Sequence, residues 1–139
     1  MSDTTILLTG IYFGEGPRWH DGRLWFSDFY AHAVKSVDES GSVRIELELD
    51  DQPSGLGWLP DGRLLVVAMK ERAVKRLDAT GLVLHADISH LTAHLCNDMV
   101  VDAQGTAWVR NFGFDLDAEL KARGGDVLSD HPVTNRVRG

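Results

Sequence analysis

Three oxygen-bearing side chains in this 139-residue chain have types and spacing that could do chemistry: Glu15, Asn97 and Asp98. Glu15 lies in Phe13-Gly14-Glu15-Gly16-Pro17, seven residues before a turn glycine at Gly22. Asp98 lies seven residues before a second turn glycine at Gly105, with Asn97 one position further out. A carboxylate and an amide carbonyl are hard donors of the kind that Ca2+ and Mg2+ take. Plainer readings compete. Glu15 between glycines also reads as a solvated loop side chain, since Glu is mostly exposed. Asn97-Asp98 also reads as a turn cap.

The elements that must position these residues follow from a repeat. Trp19-His20-Asp21-Gly22-Arg23-Leu24-Trp25-Phe26 recurs as Leu59-Pro60-Asp61-Gly62-Arg63-Leu64-Leu65-Val66, and more weakly as Val101-Asp102-Ala103-Gln104-Gly105-Thr106-Ala107-Trp108. The turn glycines step by 40 and then 43 residues. Asp-Gly between apolar runs is a hairpin signal, and periods of roughly 40–45 residues built from hairpins indicate four-stranded propeller blades. Strands are expected at 16–20, 24–27, 33–38 and 43–49, and again at 55–59, 64–68, 73–78 and 82–87. A third hairpin spans 96–110, followed by a loop, a helical turn or two at 116–123 and a further strand at 133–137.

The fold expected is therefore all-β, one partial propeller domain over 1–139, with blade 1 at 12–50, blade 2 at 51–93 and an incomplete blade 3 at 94–139. In a propeller the innermost strands line the central channel. Glu15 and Asn97-Asp98 enter the innermost strands of blades 1 and 3. The corresponding stretch of blade 2, Pro53-Ser54-Gly55, offers no charged ligand. Trp19, Trp25, Trp58 and Trp108 are expected to pack between blades, and His20 to be a surface or turn residue.

Composition bounds the rest. Hydrophobic residues at 43% are enough for a core, and a net charge of −7 without any basic run argues against a nucleic-acid surface. Ile6-Leu7-Leu8 is too short to span a membrane. The N-terminus lacks the positive region of a signal peptide. Cys96, the single cysteine, reads as a small buried side chain and fits a reducing compartment, so a cytoplasmic location is expected. His90 and His94 have a spacing that could bind zinc on a helix, but the Glu of His-Glu-x-x-His is missing and the segment reads as a connection between blades.

Glu15-Gly16-Pro17, Trp19 and Asp21-Gly22-Arg23-Leu24-Trp25-Phe26-Ser27-Asp28 resemble the opening blade of the senescence marker protein, gluconolactonase and luciferin-regenerating enzyme family. Asn97-Asp98, Val101-Asp102, Gly105 and Trp108 resemble that family's Asn-Asp-x-x-x-Asp-x-x-Gly segment. The resemblance implies a six-bladed propeller and a metal-dependent hydrolase acting on sugar lactones or related cyclic esters. It implies one divalent metal in the channel, Ca2+ first, with Zn2+ or Mg2+ as alternatives. Glu15 matches the family's first metal ligand. Asn97, with Asp98 beside it, matches the substrate-binding position; no catalytic residue is assigned. Sugar-lactone members carry an Arg two positions before this Asn, where Leu95 stands here, which opens the preference to less polar lactones.

The family's other metal ligands lie in later blades. The expectation is therefore an N-terminal portion that is inactive alone and prone to self-association through open blade edges. The second reading is a non-catalytic propeller segment that binds a protein or small ligand.

Overall fold

Each repeat reverses direction at a glycine that tolerates positive φ, +72° at Gly22 and +88° at Gly62, which an L side chain rarely adopts. The resulting hairpins build the sheets seen in the computed structural model, which describes residues 3–123 and 136–138. Strands β1 (Gly14–His20), β2 (Arg23–Asp28), β3 (Ala33–Val37) and β4 (Val43–Glu48) form an antiparallel sheet in the order β1-β2-β3-β4. Strands β5 (Pro53–Trp58), β6 (Leu64–Ala68), β7 (Ala73–Asp78) and β8 (Gly81–Asp87) repeat that order. The third sheet holds β9 (Cys96–Val101), β10 (Ala107–Asn111) and β11 (Arg136–Arg138), ordered β11-β10-β9. Helix α1 (Leu116–Arg123) stands between β10 and β11 in sequence. Sheets that meander from an inner strand outward are propeller blades. Strand 133–137 is only partly comparable, because residues 133–135 lie outside the described set.

Blade 2 holds its two neighbours because its strand β6 is apolar on both faces. Along β6, Leu64, Val66 and Ala68 pack with Val34, Leu47 and Leu49 of blade 1 and Leu56 of β5. Leu65 and Val67 point the other way, into a cluster with Cys96, Met99, Val109 and Phe112 of blade 3. The two-residue period of a strand produces this division, and a strand covered on both sides reads as a continuous apolar run.

A clamp recurs with the repeat. Arg23 donates to Ser36 Oγ at 2.7 Å and to Asp38 at 3.1 Å, and Arg63 donates to Asp78 at 3.2 Å. Arg23 is buried, whereas Arg63 is substantially exposed. The second copy therefore contributes less, since exposed ion pairs are screened.

Trp25 and Trp58 do pack between blades 1 and 2. His20 joins them, stacked on Trp58 with ring centroids 3.8 Å apart, so it is an interface residue and not the surface side chain expected. Trp19 departs in the opposite sense and is 59% exposed. Trp19 pairs with Leu24 as Trp58 pairs with Leu64 in blade 2. Adjacent strand residues point to opposite faces, so with His20 turned to Trp58 of blade 2, Trp19 lies on the other face of blade 1. Among the described residues no helix is long and apolar enough to cross a membrane.

Candidate metal centre

The inner strands of the three blades run side by side, with β5 between β1 and β9. Their approach is close enough to require glycine. A Cβ on Gly55 would lie 2.3 Å from the Met99 backbone nitrogen and 2.8 Å from the Asp98 carbonyl carbon. On the other side, a Cβ on Gly16 would lie 2.8 Å from the Ser54 carbonyl oxygen, which also accepts a 2.6 Å hydrogen bond from Ser27 Oγ. Ser54 is thereby fixed between the inner strands of blades 1 and 3, and it is 1% exposed.

Each inner strand is bulged at this level. The register shifts between Glu15 and Arg18 in β1, between Pro53 and Leu56 in β5, and where β9 meets β10 between Val109 and Asn111. Bulges bend a strand and re-aim side chains, often at the rims of closed sheets. Here they bracket the residues that meet. Ser54 Oγ lies 2.8 Å from Glu15 Oε2 and 2.7 Å from Asn97 Oδ1. Glu15, Gly16, Pro17, Arg18, Ser54, Asn97 and Asp98 line a cleft of about 160 Å3.

Arg18 bridges blades 1 and 3. Its Nη2 donates to Asp98 Oδ1 at 3.0 Å and to the Met99 carbonyl at 2.9 Å, and its Nη1 donates to the Pro17 carbonyl at 2.8 Å. Asp98 Oδ1 also accepts from the Met99 amide at 2.8 Å. Arg18 is thus engaged by Asp98 and leaves Glu15 without a paired cation among the described residues. Burial pushes the Glu15 carboxyl above its ordinary value; the Ser54 bond opposes this and the negative charge of Asp98 adds to it. A cation in the cleft would offset both unfavourable contributions.

The structure therefore brings Glu15, Asn97 and Asp98 to one place, but divides them. Glu15 and Asn97 meet at Ser54, while Asp98 turns to Arg18. Both Ser54 and Arg18 escape a search for charged or paired ligands. Ser54 stands in the stretch of blade 2 that matches Glu15 and Asn97, so the repeat itself was the available signal. His90 and His94 lie in a turn-rich connection, not on a helix. Among the described residues no three His, Cys, Asp or Glu side chains gather as a metal cluster. Cys96 is fully buried, and burial pushes its thiol up to about 11. It faces Asn111, a buried residue whose Oδ1 meets no donor among the described residues. Asn111 occupies the place that Asp28 holds in blade 1; its neighbour on the β11 side lies outside the described residues.

A larger cleft, about 370 Å3, opens at the outer strands between blades 1 and 2, beside His32, Glu48 and Lys75. Its Lys75 is already paired with Glu71 at 2.6 Å, and none of its lining residues belongs to an inner strand. The inner cleft is the better candidate for chemistry because its donors converge. In kind, a desolvated carboxylate and an amide carbonyl fit a hard divalent cation. In number they fall short of the six to eight oxygens that Ca2+ takes.

Two four-stranded blades and the three described strands of a third, with polar residues entering at their inner strands, define a section of a β-propeller. Residues 13–134 match the SMP-30/Gluconolactonase/LRE-like region, and the chain belongs to that family. Similar solved structures include a gluconolactonase from Xanthomonas campestris, at 26% identity and a TM-score of 0.61, over 73% of this chain and 35% of that one. A calcium-binding protein, regucalcin, from Agrobacterium tumefaciens matches at 20% identity and a TM-score of 0.57, over 88% of this chain and 44% of its own. A luciferin-regenerating enzyme matches at 18% identity and a TM-score of 0.55, over 72% and 38% respectively. The matched part of this chain thus spans less than half the length of each of these proteins.

Proposed function

We propose that Glu15 and Asn97 are two ligands of a divalent cation, Ca2+ first and Zn2+ or Mg2+ as alternatives. The cleft above them receives a sugar lactone or related cyclic ester, with Asn97 and Asp98 on the substrate side. The observation that carries this reading is the convergence of Glu15 and Asn97 on one buried hydroxyl, from inner strands 82 residues apart in sequence. Family membership and likeness to a gluconolactonase and a calcium-binding relative support it.

When bound, such a cation polarises an ester carbonyl and makes a neighbouring water more acidic. Glu15 would supply negative charge and Asn97 a neutral oxygen. Arg18 pairs with Asp98 and so offsets part of its charge beside Glu15. With two protein oxygens, the cation is held weakly. The 139-residue chain by itself is therefore expected not to turn over lactone.

The test is hydrolysis of gluconolactone and of a simple γ-lactone by the purified chain, with and without Ca2+. Rates equal to the uncatalysed background are expected. Calcium-dependent hydrolysis lost in Glu15→Gln would overturn the inactivity, while strengthening the site assignment.

One observation favours a second reading, a non-catalytic binding segment. The cleft of about 160 Å3 is smaller than ordinary ligand pockets, which run about 300–1,000 Å3. That reading predicts no cation affinity. Calorimetry with Ca2+ and Zn2+, repeated on Glu15→Gln, separates the two.

A further inference from the structure

One step beyond Glu15, the inner strand of blade 1 carries an aromatic side chain. The Phe29 amide donates to the Phe13 carbonyl at 2.9 Å, next to the Gly14–Asp28 pair, so the β1–β2 ladder runs on through Phe13. Residues two apart on a strand share a face and stand about 7 Å from each other. Phe13 therefore stands beside Glu15 on one face, with Phe29 beside Ser27 across from them. That face looks toward blade 2, where Glu15 meets the Ser54 hydroxyl and Ser27 donates to the Ser54 carbonyl. Phe29 packs there against the buried cluster that holds Met69 and Cys96.

Tyr30 completes a group of three rings. Its centroid is 4.7 Å from that of Phe29 and 5.8 Å from that of Phe13, both edge to face, and Phe13 is 5.6 Å from Phe29. The Phe13 backbone is held on both sides, its N–H by the buried Asp28 carboxylate at 3.0 Å and its carbonyl by Phe29. Yet Phe13 is 49% exposed and Tyr30 59%. Single exposed hydrophobic residues are ordinary, but rings grouped in water mark a contact surface. Leu95, two residues ahead of Asn97, packs against the same buried cluster as Phe29.

The inner cleft stops where this apolar group begins. Its lining runs from Glu15 to Arg18 on β1 and through Asn97 and Asp98 on β9. At about 160 Å3 it holds little beyond a small ring, so the substituents of a cyclic ester must project from it. At the Glu15 end they meet Phe13 and Phe29, whose side chains carry no hydrogen-bonding group. A sugar hydroxyl laid on those rings would leave water and find no partner. An alkyl or aryl group gains by leaving water there. We propose that Phe13, Phe29 and Tyr30 form a specificity wall at the end of the cleft, selecting cyclic esters that carry an apolar substituent over sugar lactones. That the ligand is a cyclic ester rests on the reading of the cleft given above; the preference of the wall for apolar groups does not.

The experiment titrates γ-lactones with alkyl tails of increasing length, and gluconolactone, into the isotope-labelled chain with and without Ca2+. The ring protons of Phe13 and Tyr30 are followed by NMR. Each methylene that the rings cover should tighten binding about two- to fourfold. Gluconolactone should leave both rings unmoved. Phe13→Ala should flatten the dependence on tail length, and Phe13→Leu, which keeps an apolar side chain, should retain most of it. A wild-type series that does not tighten with tail length overturns the inference. So does gluconolactone if it moves the Phe13 ring as far as the longest tail does, and neither result depends on how the variants fold. Tails that shift the exposed Ile45 or Leu84 and leave Phe13 unmoved overturn it as well. Tail-dependent binding at Phe13, in a chain whose Glu15 does not respond to Ca2+, would instead sink the cation and leave the wall standing.

Discussion

Replacing Gly55 by alanine is the sharpest perturbation of the way the blades meet. In an ordinary strand the change would be mildly favourable, by about 0.5–1 kcal/mol, because glycine loses more backbone freedom on folding. Here the new Cβ would stand 2.3 Å from the Met99 nitrogen, where ordinary contact begins at 3.4 Å. The obstacle is backbone, so no rotamer change relieves it, and β9 must withdraw from β5 by about 1 Å. That movement also stretches the 2.7 Å contact between Ser54 and Asn97 toward breaking. Overpacking costs about 1–3 kcal/mol, and a lost hydrogen bond about 1 kcal/mol, so about 3 kcal/mol is expected in total. With an unfolding entropy of about 2.1 cal/mol/K per residue, that lowers the melting temperature by roughly 10 °C. Gly57→Ala is the control. Its Cβ would meet the Val101 side chain first, at 2.4 Å, and a side chain can turn away. A smaller drop is expected, about 1 kcal/mol, at the mild end of overpacking. Thermal melts followed by far-ultraviolet circular dichroism compare the two. If Gly55→Ala melts with the wild-type chain, or above Gly57→Ala, the close approach of β5 and β9 is wrong.

Other perturbations probe separate parts of the molecule. Asp28 is fully buried and bonded to Lys35 at 2.7 Å and to the Tyr12 and Phe13 amides; Asp28→Asn should cost about 3 kcal/mol in urea unfolding, because it strands a partly buried Lys. Burial pushes the Asp28 carboxyl up, but Lys35 and the two amides outweigh it and hold it below its ordinary value of 3.8. Its contribution is therefore present above that value and is lost as pH falls below it, which acid unfolding of wild type and Asp28→Asn in parallel will show. Cys96, raised to about 11 from 9.0, should react with a thiol reagent at mildly alkaline pH at least about 100-fold more slowly in the folded chain than in denaturant. The sign for stability is opposite to that of Asp28. The unfolded thiol ionises first, so stability from Cys96 is complete below its ordinary value and declines as pH rises from there toward about 11. Val100, 58% exposed and paired across the hairpin with Trp108, should drive concentration-dependent association in sedimentation, reduced in Val100→Lys; a clean monomer for the wild-type chain would contradict this.

Much of the fold is legible in the chain because its signals are local. Asp-Gly turns, a two-residue alternation and a 40-residue step locate β6 and β7 to the residue, and β2 to within one residue at each end. The short helix at 116–123 is also legible. What escapes depends on how blades meet. No local pattern says which of two adjacent side chains faces the next blade, yet His20 stacks on Trp58 while Trp19 turns outward. Ser54 is invisible to a search for charge, because its importance lies in standing between two polar side chains, not in being one. Gly55 reads as the first residue of a strand in sequence, and only the proximity of Met99 reveals why no side chain fits there. Arg18 carries no local signal, and its role shows only when the 80-residue span to Asp98 is closed.

In the proposed function, Glu15 and Asn97 form one cation-binding pair around Ser54. Titrating Ca2+ into the isotope-labelled chain, and following Glu15, Ser54 and Asn97 by NMR, tests it most directly. Shifts confined to these residues and their neighbours are expected, with weak affinity, a dissociation constant of about 1 mM or above, because so few protein oxygens are present. Glu15→Gln should abolish those shifts while the fold is retained. Shifts scattered over surface carboxylates such as Glu48 and Asp50, unchanged by Glu15→Gln, would contradict it.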